Sequence, residues 1–101
     1  MTKVKITQVN DLVYDVTIDG HSGYAESGND IVCSAISGAV EVTMRMLEKD
    51  PTVTFDIDKA NAIIKIAVKQ PNTYTNDCLN SLIGFLEDLS SEYRKFLKIY
   101  K

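Results

Sequence analysis

The 101-residue sequence holds one histidine, two cysteines and no long apolar run, and each shortage removes a class of function. One imidazole and two distant thiols cannot assemble a zinc site. Neither GxxxxGK[ST] nor GxGxxG occurs, so the glycine-rich phosphate cradles of nucleotide enzymes are missing. No metal and no cofactor are expected. No stretch approaches the roughly 18 to 20 apolar residues that span a bilayer, and no secretory pattern is present, so a cytoplasmic protein without a membrane partner is expected. In that compartment both cysteines should be free thiols. Eleven Lys and Arg against 14 Asp and Glu leave a net charge of -3, which excludes a sequence-independent grip on nucleic acid.

What is present suits an ordinary globular fold: the hydrophobic fraction is 45%, the charged fraction 25%, and no low-complexity segment interrupts the chain. A single domain over residues 1–101 is expected. Residues 3–8 and 12–18 alternate polar and apolar, the second with Leu12, Tyr14, Val16 and Ile18 on one face, and the Asn10-Asp11 break predicts a hairpin. Val53, Phe55 and Ile57, then Ile64, Ile66 and Val68, predict a second hairpin turning at residues 59–61. Between the hairpins a helix is expected over 31–48, with Ile31, Ala35, Ile36, Ala39, Val40, Thr43 and Leu47 as its apolar stripe. A second helix, over 75–98, carries Leu79, Leu82, Ile83, Leu86, Leu89, Tyr93 and Phe96. The order ββαββα implies an α+β sandwich, a largely antiparallel sheet packed against two helices.

The chemistry concentrates in residues 20–38, GHSGYAESGNDIVCSAISG. Asp30 stands where a helix N-cap belongs, which places Cys33 in the first turn, where unpaired N–H groups and the helix dipole favour a thiolate. His21 precedes it by a loop short enough to fold back, so an imidazolium–thiolate pair is within reach. Asp30 has two uses: as a cap its charge opposes a nearby thiolate, while turned toward His21 it would favour the imidazolium. Asp19 is a second candidate to orient His21. Gly23 and Gly28 suit a loop that needs positive φ, admits a substrate backbone or moves. The bland alternatives stand beside these: a lone Cys in a first turn is commonly packing, and a His at a strand end commonly incidental. Cys78, with no second histidine to serve it, reads as structural. Asp56 and Asp58 read as a solvated strand face. Ser34, Ser37, Gly38 and Glu41 flank the first helix's stripe, and Gly38 suggests close approach by a strand, a substrate or a second subunit.

The run G-H-x-G-Y-x-x-x-G-x-D-I-V-C, here Gly20-His21-Ser22-Gly23-Tyr24 through Gly28-Asn29-Asp30-Ile31-Val32-Cys33 with Ser37 beyond, resembles the bacterial ribosomal-processing cysteine protease family called Prp. The resemblance implies a cysteine endopeptidase with Cys33 as nucleophile and His21 as base. Its substrate would be the precursor of a large-subunit ribosomal protein, the twenty-seventh in the usual naming, with an apolar, aromatic-ending N-terminal extension. Gly20, Ser22, Gly23, Tyr24 and Gly28 would form the substrate loop, and Asp30 would orient or cap. Ser37 would touch substrate or a second subunit of a homodimer, to which Leu97, Ile99 and Tyr100 could add apolar surface. Residues 22–29 would close over the peptide and complete the dyad. The residue chemistry also admits two rivals, a non-catalytic ribosome-associated module that binds a peptide strand, and a thiol hydrolase or acyltransferase acting on small substrates.

Overall fold

The computed structural model describes residues 1–26 and 28–101. It opens with strand β1 (Thr2–Val9), which buries Thr2, Val4 and Ile6 and turns Lys3, Lys5 and Thr7 outward, the period-two alternation of a half-buried strand. Asn10 and Asp11, both at positive φ (53° and 64°), reverse the chain into β2 (Leu12–Asp19). Two successive positive φ values suit the right-handed twist of a tight hairpin.

The expected inward face of β2 holds only in part. Thr7 pairs with Asp15 but Gln8 pairs with Val13, so Tyr14 is an extra residue on its strand. Such a bulge reverses the alternation. Val16 and Ile18 face the core, but on the far side of the bulge Val13 is fully buried while Leu12 and Tyr14 are only half-buried. The Asn76 side chain stitches this irregular stretch to the second helix, accepting from the Val13 N–H (2.9 Å) and donating to the Asp11 carbonyl (3.2 Å).

Helix α1 (Ile31–Leu47) buries Val32, Ile36, Val40, Thr43 and Leu47. The stripe begins at Val32 and not at Ile31, which is 53% exposed, because steps of four from Ile36 and Val40 lead back to 32 and residue 31 lies about 100° away around the axis. Strands β3 (Val53–Asp58) and β4 (Ile63–Val68) form the second hairpin as expected. Helix α2 (Thr73–Glu92) starts at a reciprocal cap, in which Asn72 Oδ1 accepts from the Thr75 N–H and Thr75 Oγ1 from the Asn72 N–H. Cys78 is buried on its inner face.

The second helix was expected to run to residue 98, and here the structure differs. α2 ends at Glu92, the Phe96 and Leu97 amides turn back onto the Tyr93 carbonyl, and Leu97–Tyr100 form a fifth strand, β5, parallel to β1. Leu97 and Ile99 alternate with Lys98 and Tyr100, a period-two signal too short to outweigh the helical one. The outer edge of β1 decides the matter, because its backbone groups need partners there. Leu97, 1% exposed, therefore belongs to the core, and Ile99 packs against it.

The sheet runs β3-β4-β2-β1-β5, antiparallel except for the β1–β5 pair, and its one apolar face packs against both helices. No helix among the described residues is long and apolar enough to cross a membrane. Burial of Leu97 sets an expectation: Leu97→Ala should destabilise the fold by about 2–5 kcal/mol, the cost of truncating a packed leucine, whereas Lys98→Ala on the opposite face should change it by less than about 0.5 kcal/mol. Urea denaturation of the two variants measures both.

Candidate active site

The end of β2 is clamped from two sides. The Gly20 amide donates to the Ala62 carbonyl in the β3–β4 turn (2.8 Å), and the Gly20 carbonyl accepts from Thr2 Oγ1 at the start of β1 (2.9 Å). Gly20 has φ +92°, which L side chains rarely adopt, and a Cβ there would lie a tight 3.1 Å from the Met1 carbonyl oxygen. The chain leaves the sheet at this point and His21 emerges exposed.

Asp30 meets it from the helix side. It is the N-cap of α1, as expected, and its Oδ1 accepts from the Cys33 N–H at 2.9 Å. Its Oδ2 accepts from the Ser22 hydroxyl and from the Tyr24 N–H (3.2 Å), so one carboxylate ties the loop to the first turn. Burial pushes the Asp30 carboxyl up, but bonds from the Ser22 hydroxyl and from the Cys33 and Ala25 amides outweigh it and hold the group at about 2. Of the two uses foreseen for Asp30, the cap is the one formed. None of the hydrogen bonds among the described residues joins Asp30 to His21.

The Cys33 sulfur sits under this network. The Ser22 N–H points at Sγ from 3.4 Å, and Sγ lies 3.6 Å from Ser22 Oγ. The helix start does not leave all its donors free: the Cys33 amide is engaged by the Asp30 carboxylate and the Ser34 amide by the Asp30 carbonyl.

Cys33 and His21 share two adjoining cavities. One, of about 410 Å3, is walled by Ile18, Ile36, Ile57, Ile63 and Ile64, with Asp58 and Lys59 at the β3–β4 turn. The other, of about 470 Å3, lies under the loop and is lined by Gly23, Ala25, Gly28, Asp30 and Ser34. Ser37 borders both, next to Cys33. The hairpin tip was not anticipated as part of a site. Ile57, on the apolar side of β3, is 49% exposed because it projects past the helices into the first cavity. Asp56 is exposed, but Asp58 is drawn into the turn, where both carboxylate oxygens accept from Asn61.

The loop has a second anchor that sequence reasoning missed. The Tyr24 ring packs edge-on against Tyr93 (centroids 5.5 Å apart) and Phe96 (5.2 Å), both placed by the break between α2 and β5. Gly23 and Gly28 have positive φ, 74° and 93°, as expected of the loop. Ser27, within the anticipated closing segment, lies outside the described residues. Among the described residues no group of three or more His, Cys, Asp and Glu is placed to hold a metal ion.

Comparison with known proteins bears on the family and the fold. The model of the family described as cysteine protease Prp matches residues 1–98. Ribosomal processing cysteine protease Prp from two strains of Staphylococcus aureus is 30% identical over 105 residues, spanning 98% of this chain and 97% of theirs. The solved S. aureus protease with a covalently linked product peptide matches with a TM-score of 0.89 at 24% identity, over 98% of this chain and 97% of that one. The same protease with a substrate peptide gives 0.76 at 24% identity, over 99% and 98%. A Streptococcus mutans protein gives 0.83 at 22% identity, over 98% and 91%. The solved structures bear on the fold, and the family model spans nearly the whole sequence: the chain belongs to the cysteine protease Prp family.

Proposed function

We propose that this cysteine protease removes a short N-terminal extension from the precursor of a large-subunit ribosomal protein, the twenty-seventh, in the cytoplasm, using Cys33 as nucleophile and His21 as base. The observation that carries the reading is that the chain's one imidazole and its helix-start thiol border the same isoleucine-walled cavity. An apolar segment of substrate fits such a wall, while the glycine-lined cavity on the other side of Cys33 admits backbone and small side chains. The S. aureus relative, solved with substrate and product peptides, supports a peptide as the ligand here.

In the proposed reaction the Cys33 proton passes to His21, Sγ adds to the scissile carbonyl, and the imidazolium returns the proton to the departing amine. Water, deprotonated by His21, then cleaves the thioester. Because Asp30 occupies the Cys33 amide, the oxyanion must find donors other than that N–H.

A homodimer belongs to the same proposal. The outer faces of α1 and α2 expose Val42, Met46 and Phe85 around a shallow apolar cavity. Gly38 lies there, and a Cβ on it would meet nothing within 4 Å, so no described strand approaches it and the open face supports a second subunit at this point. Leu97, expected to serve a partner, is taken by the core.

Three outcomes follow. Incubated with the precursor ribosomal protein, Cys33→Ala, Cys33→Ser and His21→Ala should each lose at least about a hundredfold in cleavage rate, while Cys78→Ser retains most of it. Product mass gives both rate and cut site, and turnover by Cys33→Ala would end the nucleophile assignment. Phe85→Asp should convert a dimer into a monomer in sedimentation, and an unchanged mass would remove the α1–α2 face from the interface. The third outcome concerns pH. Asp30 is held near 2 when folded, below the ordinary 3.8, so it adds stability above about pH 4 that is lost as pH falls toward 2. Asp30→Asn keeps the cap's shape without its charge. The stability gap between wild type and Asp30→Asn should be constant from pH 7 to 5 and close toward pH 2 in chemical denaturation.

A further inference from the structure

Ser22 is 1% exposed, although its neighbours His21 and Gly23 face solvent. Its hydroxyl oxygen meets Asp30 Oδ2, the Tyr24 N–H at 3.2 Å and the Cys33 sulfur at 3.6 Å. The direction of each bond follows from what the partners can do. A carboxylate only accepts, and with its carboxyl at about 2 Asp30 is ionised at any working pH. The Ser22 proton therefore lies on the bond to Asp30, and Ser22 Oγ offers lone pairs to its two remaining partners. The Tyr24 N–H is a donor and satisfies one. The other pair faces Cys33, and only a protonated sulfur can donate to it.

We propose that Ser22 is a positioning residue for Cys33: its hydroxyl, oriented by Asp30, holds the resting sulfur as a thiol whose S–H is directed at Ser22 and away from His21. The inference rests on Cys33 being the nucleophile. Before attack the S–H must leave Ser22 Oγ and pass its proton to the His21 imidazole, and the sulfur then keeps only the Ser22 N–H, which a thiolate accepts well. The same residue thus restrains the thiol through its side chain and supports the thiolate through its backbone. Removing the hydroxyl leaves that N–H, the Asp30 bond to the Cys33 amide and the Tyr24 bond to Asp30 in place. Among the described residues, the other charged or titratable groups lining the cavities beside Cys33 are Asp30 at the helix start, His21 after β2, and Asp58 and Lys59 at the β3–β4 turn, all present in wild type and variant alike.

The test is alkylation of Cys33 by iodoacetamide in the full chain from pH 5.5 to 9.5, read by peptide mass, for wild type and Ser22→Ala and for each in a His21→Ala background. At pH 6, Ser22→Ala should react about three- to tenfold faster, the weight of one hydrogen bond, and the rates should converge at the alkaline end, where ionisation no longer limits reaction. The ratio should persist without His21, because the hydroxyl acts on the sulfur directly. Equal or slower reaction of Ser22→Ala at pH 6 overturns the proposal. So does an acceleration that is the same at every pH, which reports access and not protonation. Buried Cys78 reports unfolding, and Ser22→Gly, the second hydroxyl-free variant, carries the same expectation if labelling of Cys78 shows that Ser22→Ala has opened. Failure of the nucleophile reading is distinguishable, since it appears as precursor cleavage by Cys33→Ala whatever the alkylation profile.

Discussion

The carboxylate of Asp30 is the point on which the site depends. One oxygen satisfies the first turn of α1 at the Cys33 amide, and the other gathers the Ser22 hydroxyl and the Tyr24 amide from a loop that has no ladder of its own. A helix N-terminus always leaves amides in need of acceptors. Here the group that meets the need also fixes the thiol relative to the loop. Several hydrogen bonds on one carboxyl explain how a buried acid stays ionised, and why its own burial does not neutralise it.

That arrangement carries a conflict. A fixed negative charge beside a sulfur disfavours a thiolate, while a helix dipole and the Ser22 N–H favour one. His21 reaches the same cavity from the end of β2, carried there by Gly20. Histidine and cysteine thus reach the cavity from separate elements, and whatever fixes β2 against α1 fixes their relation.

The sheet supplies this rigidity. Gly20 is held between the start of β1 and the β3–β4 turn, so His21 depends on three strands as well as its own loop. The hairpin tip that holds Gly20 also raises Ile57 and Ile63 into the cavity, joining the support of His21 to the cavity's apolar wall. At the far edge, β5 and the turn before it place Tyr93 and Phe96 beneath Tyr24, so the C-terminal segment that completes the sheet also anchors the loop over the thiol.

Much of this was legible in the linear order of residues, because the signals were local. Alternation over β1, β3 and β4, steps of four along α1, Asp30 three places before Cys33, and glycines at positive-φ positions all depend on neighbours within a few residues. The one-dimensional pattern was enough for the α+β class, for the helix start under the thiol and for the likeness to a protease family through residues 20–33. The misread elements are those where distant segments decide. The bulge at Tyr14 reverses a face because of β1's register, and Leu97–Tyr100 leave a helical pattern because β1 has an open edge. The partner of Asp30, the burial of Ser22, the Tyr24 contacts and the isoleucine wall are likewise products of tertiary structure. Each joins groups separated by several to many residues, and whether such groups meet depends on how the whole sheet and both helices bury their apolar faces, which no short window of sequence contains.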